Sequence, residues 1–305
     1  MTEPKKKKII GLSCGRKNGN SEILLKEAAM GAEEFGIETE IIRAMALKVL
    51  PCRACGGCWE TRKCVLKDDV EWILEETFVE DNALILSVPV YHLRASGVFM
   101  CITERVNHLF NDDRGGYSFL KRTKVGAILS VGGSQLDWTS LSLLTINIFL
   151  QHGHVLVDQL QVADCPVSGM ILGMEKELER ARQLGRNVAK AMQVPIEEVK
   201  YMGGETAVSC PVCHCNVLQV PEDFPDVYCP ICWVHGTMYL DAGKMKVKWN
   251  EEDARYPRFS LEAHLRHFAE QSEKNEKFVK EHKYLMDNME ELRKKYVSYG
   301  TIIKP

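Results

Sequence analysis

From residue 8 to about residue 195 short apolar runs alternate with segments of helical periodicity, and this alternation is the strongest constraint on what the chain can fold into. Residues 8–13, 38–43, 82–88, 124–131 and 154–162 read as strands. The third contains ALILSV, the continuous apolar run of a strand buried on both faces. Residues 20–35, 69–78, 96–110, 138–151 and 175–192 read as helices. Ile23, Leu24, Ala28 and Met30 form an apolar side of the first, and Val98, Phe99, Ile102, Val106 and Leu109 share one face of the third. Asp69 opens the second, where negative charge suits the helix dipole. Such a rhythm predicts an α/β fold, a doubly wound parallel sheet of order 2-1-3-4-5 with helices on both faces. In that architecture ligands sit at the carboxyl ends of the strands, so the loops after strands one, three and four become the places to look.

The remaining 110 or so residues leave room for more than the sheet domain. The expected division is residues 1–200 for the sheet domain, 205–250 for a small metal-bound module and 258–305 for a helix and tail. A formal net charge of −3 gives no reason to expect nucleic acid or an anionic membrane as partner. Lys5 to Lys8 read as a solvated lead-in. The first apolar stretch is too short for a signal peptide, and no segment approaches ~18 uninterrupted apolar residues. Twelve cysteines without a secretory signal point to metals or reactive thiols in a reducing, cytoplasmic setting.

Four of those cysteines fall within thirteen residues. Cys52, Cys55, Cys58 and Cys64 have the spacing C-x2-C-x2-C-x5-C. Thiols this close cannot all pair as disulfides without strain, whereas an iron–sulfur cluster would satisfy all four at one centre. Redox-sensing or structural thiols are the alternative.

The loop after strand one is Ser13-Cys14-Gly15-Arg16-Lys17-Asn18-Gly19-Asn20-Ser21, followed at once by a helix. Small polar residues beside glycines let backbone N–H groups converge on an anion, with the helix N-terminus behind them. Arg16 adds a fork for phosphate. The loop is neither a P-loop nor a GxGxxG dinucleotide loop, so a monophosphate is the natural ligand. A plain turn with Asn20 or Ser21 as N-cap is the alternative. After strand three come Pro89, Val90, Tyr91 and His92, read as a proline-fixed turn presenting an aromatic edge and backbone donors. After strand four come Gly132 and Gly133, which permit close backbone approach.

These three loops resemble those of the NAD(P)H-dependent FMN reductase family of flavodoxin-like proteins. With the four-cysteine run, residues 8–195 are similar to the iron–sulfur flavoproteins. The resemblance implies FMN held at its phosphate by Ser13, Arg16, Asn18, Gly19, Asn20 and Ser21. It implies the ring at Pro89, Val90, Tyr91 and His92, with Gly132 and Gly133 nearby, and a [4Fe–4S] cluster on Cys52, Cys55, Cys58 and Cys64. It also implies a homo-oligomer, dimer or tetramer, that brings a cluster close to FMN. Ser134-Gln135-Leu136-Asp137 departs from the GQE-like residues that many relatives carry. The expected function is an FMN oxidoreductase passing electrons between flavin and cluster to reduce a small-molecule acceptor, with ferredoxin or NAD(P)H as donor. Tyr91 and His92 are the candidates to tune the ring or move a proton. A non-enzymatic electron carrier or redox sensor, and a plain FMN or quinone reductase without a cluster, are the other readings.

A second metal site is expected at Cys210, Cys213, Cys229 and Cys232, two CPxC knuckles fifteen residues apart. Two knuckles make a tetrahedral S4 site. The residues from Gly236 onward alternate like a β-hairpin and would complete a zinc ribbon. Iron is the competing occupant, because the Pro221–Pro225 stretch resembles rubredoxin; the short gap between knuckles favours structural zinc. Residues 261–297 read as one long charged helix in which Phe278, Leu285, Met289, Leu292 and Tyr296 recur at heptad-like spacing, packing either on the body or on another subunit. His152, His154, Cys14, Cys101 and Cys165 are expected to be packing residues.

Overall fold

The computed structural model describes residues 7–61, 63–111, 118–136, 139–297, 299–301 and 303. Two compact units divide the chain, one up to Ser260 and one from Leu261 onward. The first unit opens with β1 (Ile9–Ser13), α1 (Asn20–Glu33) and β2 (Thr39–Arg43), followed by α2 (Gly57–Thr61), α3 (Val70–Leu74), β3 (Ala83–Tyr91) and a two-residue β4 (Arg94–Ala95). It continues through α4 (Gly97–Thr103), β5 (Lys124–Val131), α5 (Ser142–Gln151), β6 (His154–Val162) and α6 (Glu175–Ala191).

The main sheet runs β2-β1-β3-β5-β6 and all of these pairings are parallel. This is the expected flavodoxin-like order, with β5 and β6 as its fourth and fifth strands. Side chains alternate between the two faces of the pleated sheet, and both faces are buried. Ile9, Ile85, Val125, Ala127 and Leu129 belong to a core closed by Leu24, Leu25 and Ala28 of α1 and by Ala181, Leu184 and Val188 of α6. The alternate residues Ile10, Leu12, Leu84, Leu86 and Ile128 are equally buried. Phe149 of α5 links Phe78 and Phe99 edge-to-face, with ring centroids 4.8 and 5.3 Å apart.

Three helices differ from their expected form. The second is α3 followed by one π-helical turn, Glu75–Val79, where the Thr77 hydroxyl donates to the Ile73 carbonyl at 2.7 Å. The third stops at Thr103 and resumes as a 3₁₀ segment, Val106–Asn111, because Arg105 turns inward to the buried Asp68. The fourth begins at Ser142; its expected first residue, Trp138, lies outside the described residues.

After α6 come β7 (Asp226–Tyr228), β8 (His235–Asp241) and β9 (Lys244–Trp249), an antiparallel sheet, and then α7 (Glu251–Arg255). The β8–β9 turn uses Ala242 and Gly243 at φ 49° and 75°, the left-handed pair that a tight hairpin needs. The second unit is α8 (Leu261–Glu281), α9 (Lys283–Asp287) and α10 (Met289–Val297) rather than one continuous helix. The breaks lie at His282 and Asn288, whose side chains bond the carbonyls of Phe278 and Tyr284 four residues back, in competition with the helix ladder. No described helix is long and apolar enough to cross a membrane.

The closest helix contact is α1 on α6. A Cβ at Gly185 would stand 1.7 Å from the Ala28 carbonyl oxygen, and one at Gly31 would stand 2.0 Å from that of Arg182. Helix propensity alone would favour alanine by about 1 kcal/mol, but here it would force two backbones apart. Gly185→Ala should therefore lose roughly 1–3 kcal/mol in urea unfolding; a neutral or stabilising result would contradict this account of the crossing.

Candidate active site and metal centre

The loops after β1, β3, β5 and β6 gather at the carboxyl edge of the sheet. Ser13 ends β1 fully buried, and its Oγ has no hydrogen-bond partner. Cys14 is packed just beyond it, its thiol pushed up by burial, so it fills space as expected. Arg16 and Asn18 are exposed, Asn18 at φ 57°, and the Gly19 amide closes the turn on the Arg16 carbonyl at 2.9 Å. Gly19 is the N-cap of α1 and no side chain caps that helix. The Ser21 Oγ lies 2.5 Å from where a Cβ of Gly15 would be, so only glycine leaves this hydroxyl facing the loop. An orphaned buried hydroxyl, an uncapped first turn and a glycine-lined cradle together fit a bound phosphate.

Asn20 has a different task from the one expected of its side chain. Its Nδ2 donates to the carbonyls of Cys165 and Val167 at 3.1 and 2.9 Å, and its Oδ1 accepts from the Gly169 amide at 2.8 Å. The amide therefore ties the β6–α6 loop to the start of α1, and only the Asn20 backbone is left to face a phosphate. Glu22, in the same first turn, is fully buried and would repel an anion. Arg43 grips it with two bonds of 2.9 Å, and Lys26 adds a third contact at 2.9 Å. Chiefly through Arg43, its carboxyl is held down at about 2 against an ordinary 4.5, although burial opposes the shift.

The loop after β3 is not a proline-fixed turn. Pro89 lies within β3, paired with Val131, and Val90 and Tyr91 pair with Ala95 and Arg94 of β4. The turn is His92-Leu93, both left-handed at φ 52° and 73°. Two non-glycine residues in that region form a strained two-residue hairpin, and it leaves Tyr91 and His92 exposed at its tip. Gly132 and Gly133 are required by the protein's own packing. A Cβ on Gly132 would meet Thr139 at 2.2 Å, and one on Gly133 would meet Pro166 at 3.0 Å. The Gly132 carbonyl accepts from the Cys165 amide at 3.0 Å, which joins the β5 loop to the loop that Asn20 holds. Residues 163–169 are thus a fourth part of this edge that strand–helix periodicity did not single out.

Cys52 and Cys55 precede α2, Cys58 lies within it and Cys64 follows it. Cys52 and Cys55 are exposed and the other two are half-buried. Burial raises the Cys58 thiol, and the thiols of Cys64, Cys52 and Cys55 raise it further. The Cys52 sulfur accepts from the Ala54 amide at 3.4 Å and the Cys64 sulfur from the Arg105 guanidinium at 3.2 Å. Arg105 in turn pairs at 2.6 Å with Asp68, which also accepts the Leu50 amide at 2.8 Å. Sequence reasoning missed Arg105, whose signal is a lone cation on an otherwise apolar helix face.

The second cysteine set is closed. The sulfurs of Cys210, Cys213, Cys229 and Cys232 all lie within 4.8 Å of one another and are buried. Cys213 and Cys229 stand 3.5 Å apart, close to the ~3.8 Å that four thiolates keep around one tetrahedral zinc. The two knuckles repeat each other. His214 and Trp233, each just after the second cysteine, are left-handed at φ 55° and 60°, and donate their amides to the Cys210 and Cys229 carbonyls at 3.0 and 2.9 Å. His214 stacks on Tyr201 with centroids 3.6 Å apart, while Trp233 lies under Arg258 at 4.9 Å. Burial lowers the Arg122 guanidinium, which donates to Gln151 at 2.6 Å, while the thiols of Cys232, Cys213 and Cys210 support its charge. The Asn147 side chain donates to the Cys213 carbonyl at 2.8 Å and fixes the first knuckle to α5.

Residues 7–165 match the family described as NADPH-dependent FMN reductase, just over half of the chain. The chain belongs to that family. Members known as iron–sulfur flavoproteins are among its relatives. One from Methanocaldococcus jannaschii is 33% identical over 196 residues, covering 61% of this chain and 98% of that protein. A flavone synthase of Aspergillus candidus is 27% identical over 289 residues, covering 85% of this chain and 87% of that protein. A solved flavone reductase superposes with a TM-score of 0.73 at 24% identity over 98% of this chain and 99% of its own, a likeness of fold. The family assignment and the cradle after β1 agree, and the protein is an FMN-dependent oxidoreductase.

Two outcomes follow from the site. The depressed Glu22 carboxyl contributes stability that is full above its ordinary 4.5 and is lost as pH falls toward about 2; in acid titrations Glu22→Gln should flatten that part of the stability curve, and an unchanged slope would remove the Arg43 pair from the account. Cys229→Ala should release the metal and lower the melting temperature while the flavin absorbance persists. Retained metal with an unaltered melt would refute a structural role for the centre.

Proposed function

We propose that the protein passes electrons between FMN and a [4Fe–4S] cluster on Cys52, Cys55, Cys58 and Cys64 and delivers them to a small-molecule acceptor. The anchoring of the cysteine loop carries this reading. Arg105, itself buried, joins Cys64 to Asp68 and so holds a thiolate where a cluster would need both a fixed ligand and a compensating charge. The exposed Cys52 and Cys55 favour a homo-oligomer, dimer or tetramer, in which a second subunit shields the centre. Bound FMN supplies both hydride and single-electron chemistry.

The chain's own residues do the rest. Ser21 and the first-turn amides of α1 hold the phosphate, with Arg16 closing from solvent. Asn20 fixes the loop behind them. Tyr91 and His92, at the tip of the strained hairpin, orient the ring and move a proton to or from the acceptor. The donor is NAD(P)H, stacking on the flavin transiently, or ferredoxin. Zinc is the proposed occupant of the Cys210–Cys232 centre, where it holds the module together.

A narrower statement about the acceptor rests on the flavone synthase match. It covers more of this chain than residues 1–204 could supply, so the likeness reaches past the sheet domain. We infer that the small-molecule partner is a conjugated aromatic ketone or its dihydro form. In the reductive direction its carbon–carbon double bond takes a hydride at the β-carbon and a proton at the α-carbon while NAD(P)H is oxidised; in the oxidative direction the same bonds break and the flavin takes the hydride.

Metal and sulfide analysis of anaerobically purified protein tests the cluster. About four irons and four sulfides per chain, beside one zinc, are expected, and Cys55→Ala should remove the iron and sulfide while FMN stays. Flavin and zinc without iron or sulfide would leave a plain FMN reductase and sink the cluster.

A further inference from the structure

Just past the end of α4, Arg105 turns into the protein beside the four-cysteine loop, and its side chain is only 3% exposed. The base of that loop is closed by its own backbone and two carboxylates. The Lys48 amide donates to Asp69 at 2.7 Å and the Leu50 amide to Asp68 at 2.8 Å, while the Asp69 amide returns to the Lys48 carbonyl at 2.9 Å. Within the loop Ala54 and Gly56 are left-handed at φ 49° and 74°, a backbone form that turns successive N–H groups toward one anion. Cys52 and Cys55 face water. Arg105 is the charge held on the inner side, against Cys64.

The nitrogens of Arg105 divide between two directions. Nη1 donates to the Asp68 carboxylate at 2.6 Å. Nη2 donates to the Cys64 sulfur at 3.2 Å. Nε is buried and has no hydrogen-bond partner among the described residues. A guanidinium is planar and rigid, and its Nε–H leaves the same edge as one Nη2–H, parallel to it. The free N–H therefore points to the side on which the Cys64 sulfur lies. A buried donor without an acceptor is costly. A sulfide next to the Cys64 thiolate would give this edge its second acceptor, in the two-pronged manner in which arginine takes a carboxylate.

Asp68 makes the guanidinium a fixed charge. Burial opposes both ions, and the bond between them outweighs it, holding the Asp68 carboxyl low and the guanidinium high. Reduction makes a thiolate-bound cluster more negative. Hydrogen bonds and positive charge at its sulfurs favour the reduced form, and a nearby carboxylate disfavours it. The two members of this ion pair therefore act on the cluster with opposite signs.

The geometry points to Arg105 as the residue that sets the reduction potential of the cluster: its free edge donates to the Cys64 sulfur and to a neighbouring sulfide and raises the potential, while Asp68 orients it and limits the rise. The inference rests on the cluster reading given above.

A redox titration of anaerobically purified full-length protein, read by the paramagnetic resonance of the reduced cluster, tests it. Arg105→Lys keeps the charge but loses the two-pronged edge, and should lower the midpoint potential. Asp68→Asn keeps an acceptor for the Leu50 amide and for Arg105 but removes the opposing charge, and should raise it. Each should change the ratio of reduced to oxidised cluster at a fixed potential by at least about tenfold, ~59 mV for one electron, with iron and sulfide content as in the wild type. Should Arg105→Lys lose its iron, Asp68→Asn alone decides. A wild-type midpoint in a fully loaded variant, or shifts of the same sign in both, would overturn the tuning role and leave the cluster reading in place. Loss of iron from both variants would make the pair a builder of the loop and overturn the inference as well. Wild-type protein without iron or sulfide would instead overturn the cluster reading, and the inference with it.

Discussion

A parallel sheet places the carboxyl end of every strand on one edge, and the function of this protein depends on how the loops at that edge are tied to one another. Such loops carry backbone polar groups that must find partners. Here they find them in each other. The Asn20 side chain bridges the start of α1 to the loop after β6, and that loop's Cys165 amide bonds the Gly132 carbonyl after β5. The Ser87 hydroxyl of β3 reaches the Ser21 carbonyl at 2.6 Å. The edge is therefore braced before any ligand arrives, which is what a cofactor site needs if binding is not to be offset by the entropy of ordering loops.

The parts legible in the sequence are those governed by apolar pattern. Five strands and their order followed from runs such as Ala83 to Val88, because burial on both faces leaves few alternatives. The two CPxC knuckles were legible because a tetrahedral thiolate site needs that spacing, and their sulfurs meet. What escaped notice depends on tertiary partners. Nothing local marks His92-Leu93 as a left-handed turn, since neither residue is a turn-former at that geometry; the pairing of Tyr91 with Arg94 imposes it. Asn20 looks like a phosphate ligand or a cap until the loop after β6 is seen beside it. Arg105 lies on what periodicity treats as one helix, yet Asp68 and Cys64 pull it out of register and end α4 early.

Electrostatics treats the two cysteine sets in opposite ways. The Cys210–Cys232 sulfurs are dry, and bare thiolates cannot share that space. Hydrogen bonding to Cys210 and the other thiols, together with burial, pushes the Cys213 thiol far up. A bound cation would resolve this. The Cys52–Cys64 set is half in water, with one guanidinium fixed on its inner side. Exposure lowers the cost of charge there and leaves Cys52 and Cys55 reachable from outside. A closed set would suit a structural ion and an open one would suit the proposed electron exchange.

The same reasoning separates recognition of the cofactor from recognition of the acceptor. The braced edge is built from backbone donors and small residues, which suit one fixed ligand and leave little freedom to choose among others. Selectivity among small-molecule acceptors calls for apolar walls of defined shape. Most leucines and valines of the five strands are committed to the cores on the two faces of the sheet. Added walls must come from an added element, and the module can serve only if its own fold is rigid. Its core is little more than the four cysteines with Ile231, Val234 and Phe259, too few apolar side chains to hold a hairpin in place without a bound ion. An ion bound between the knuckles would supply that rigidity.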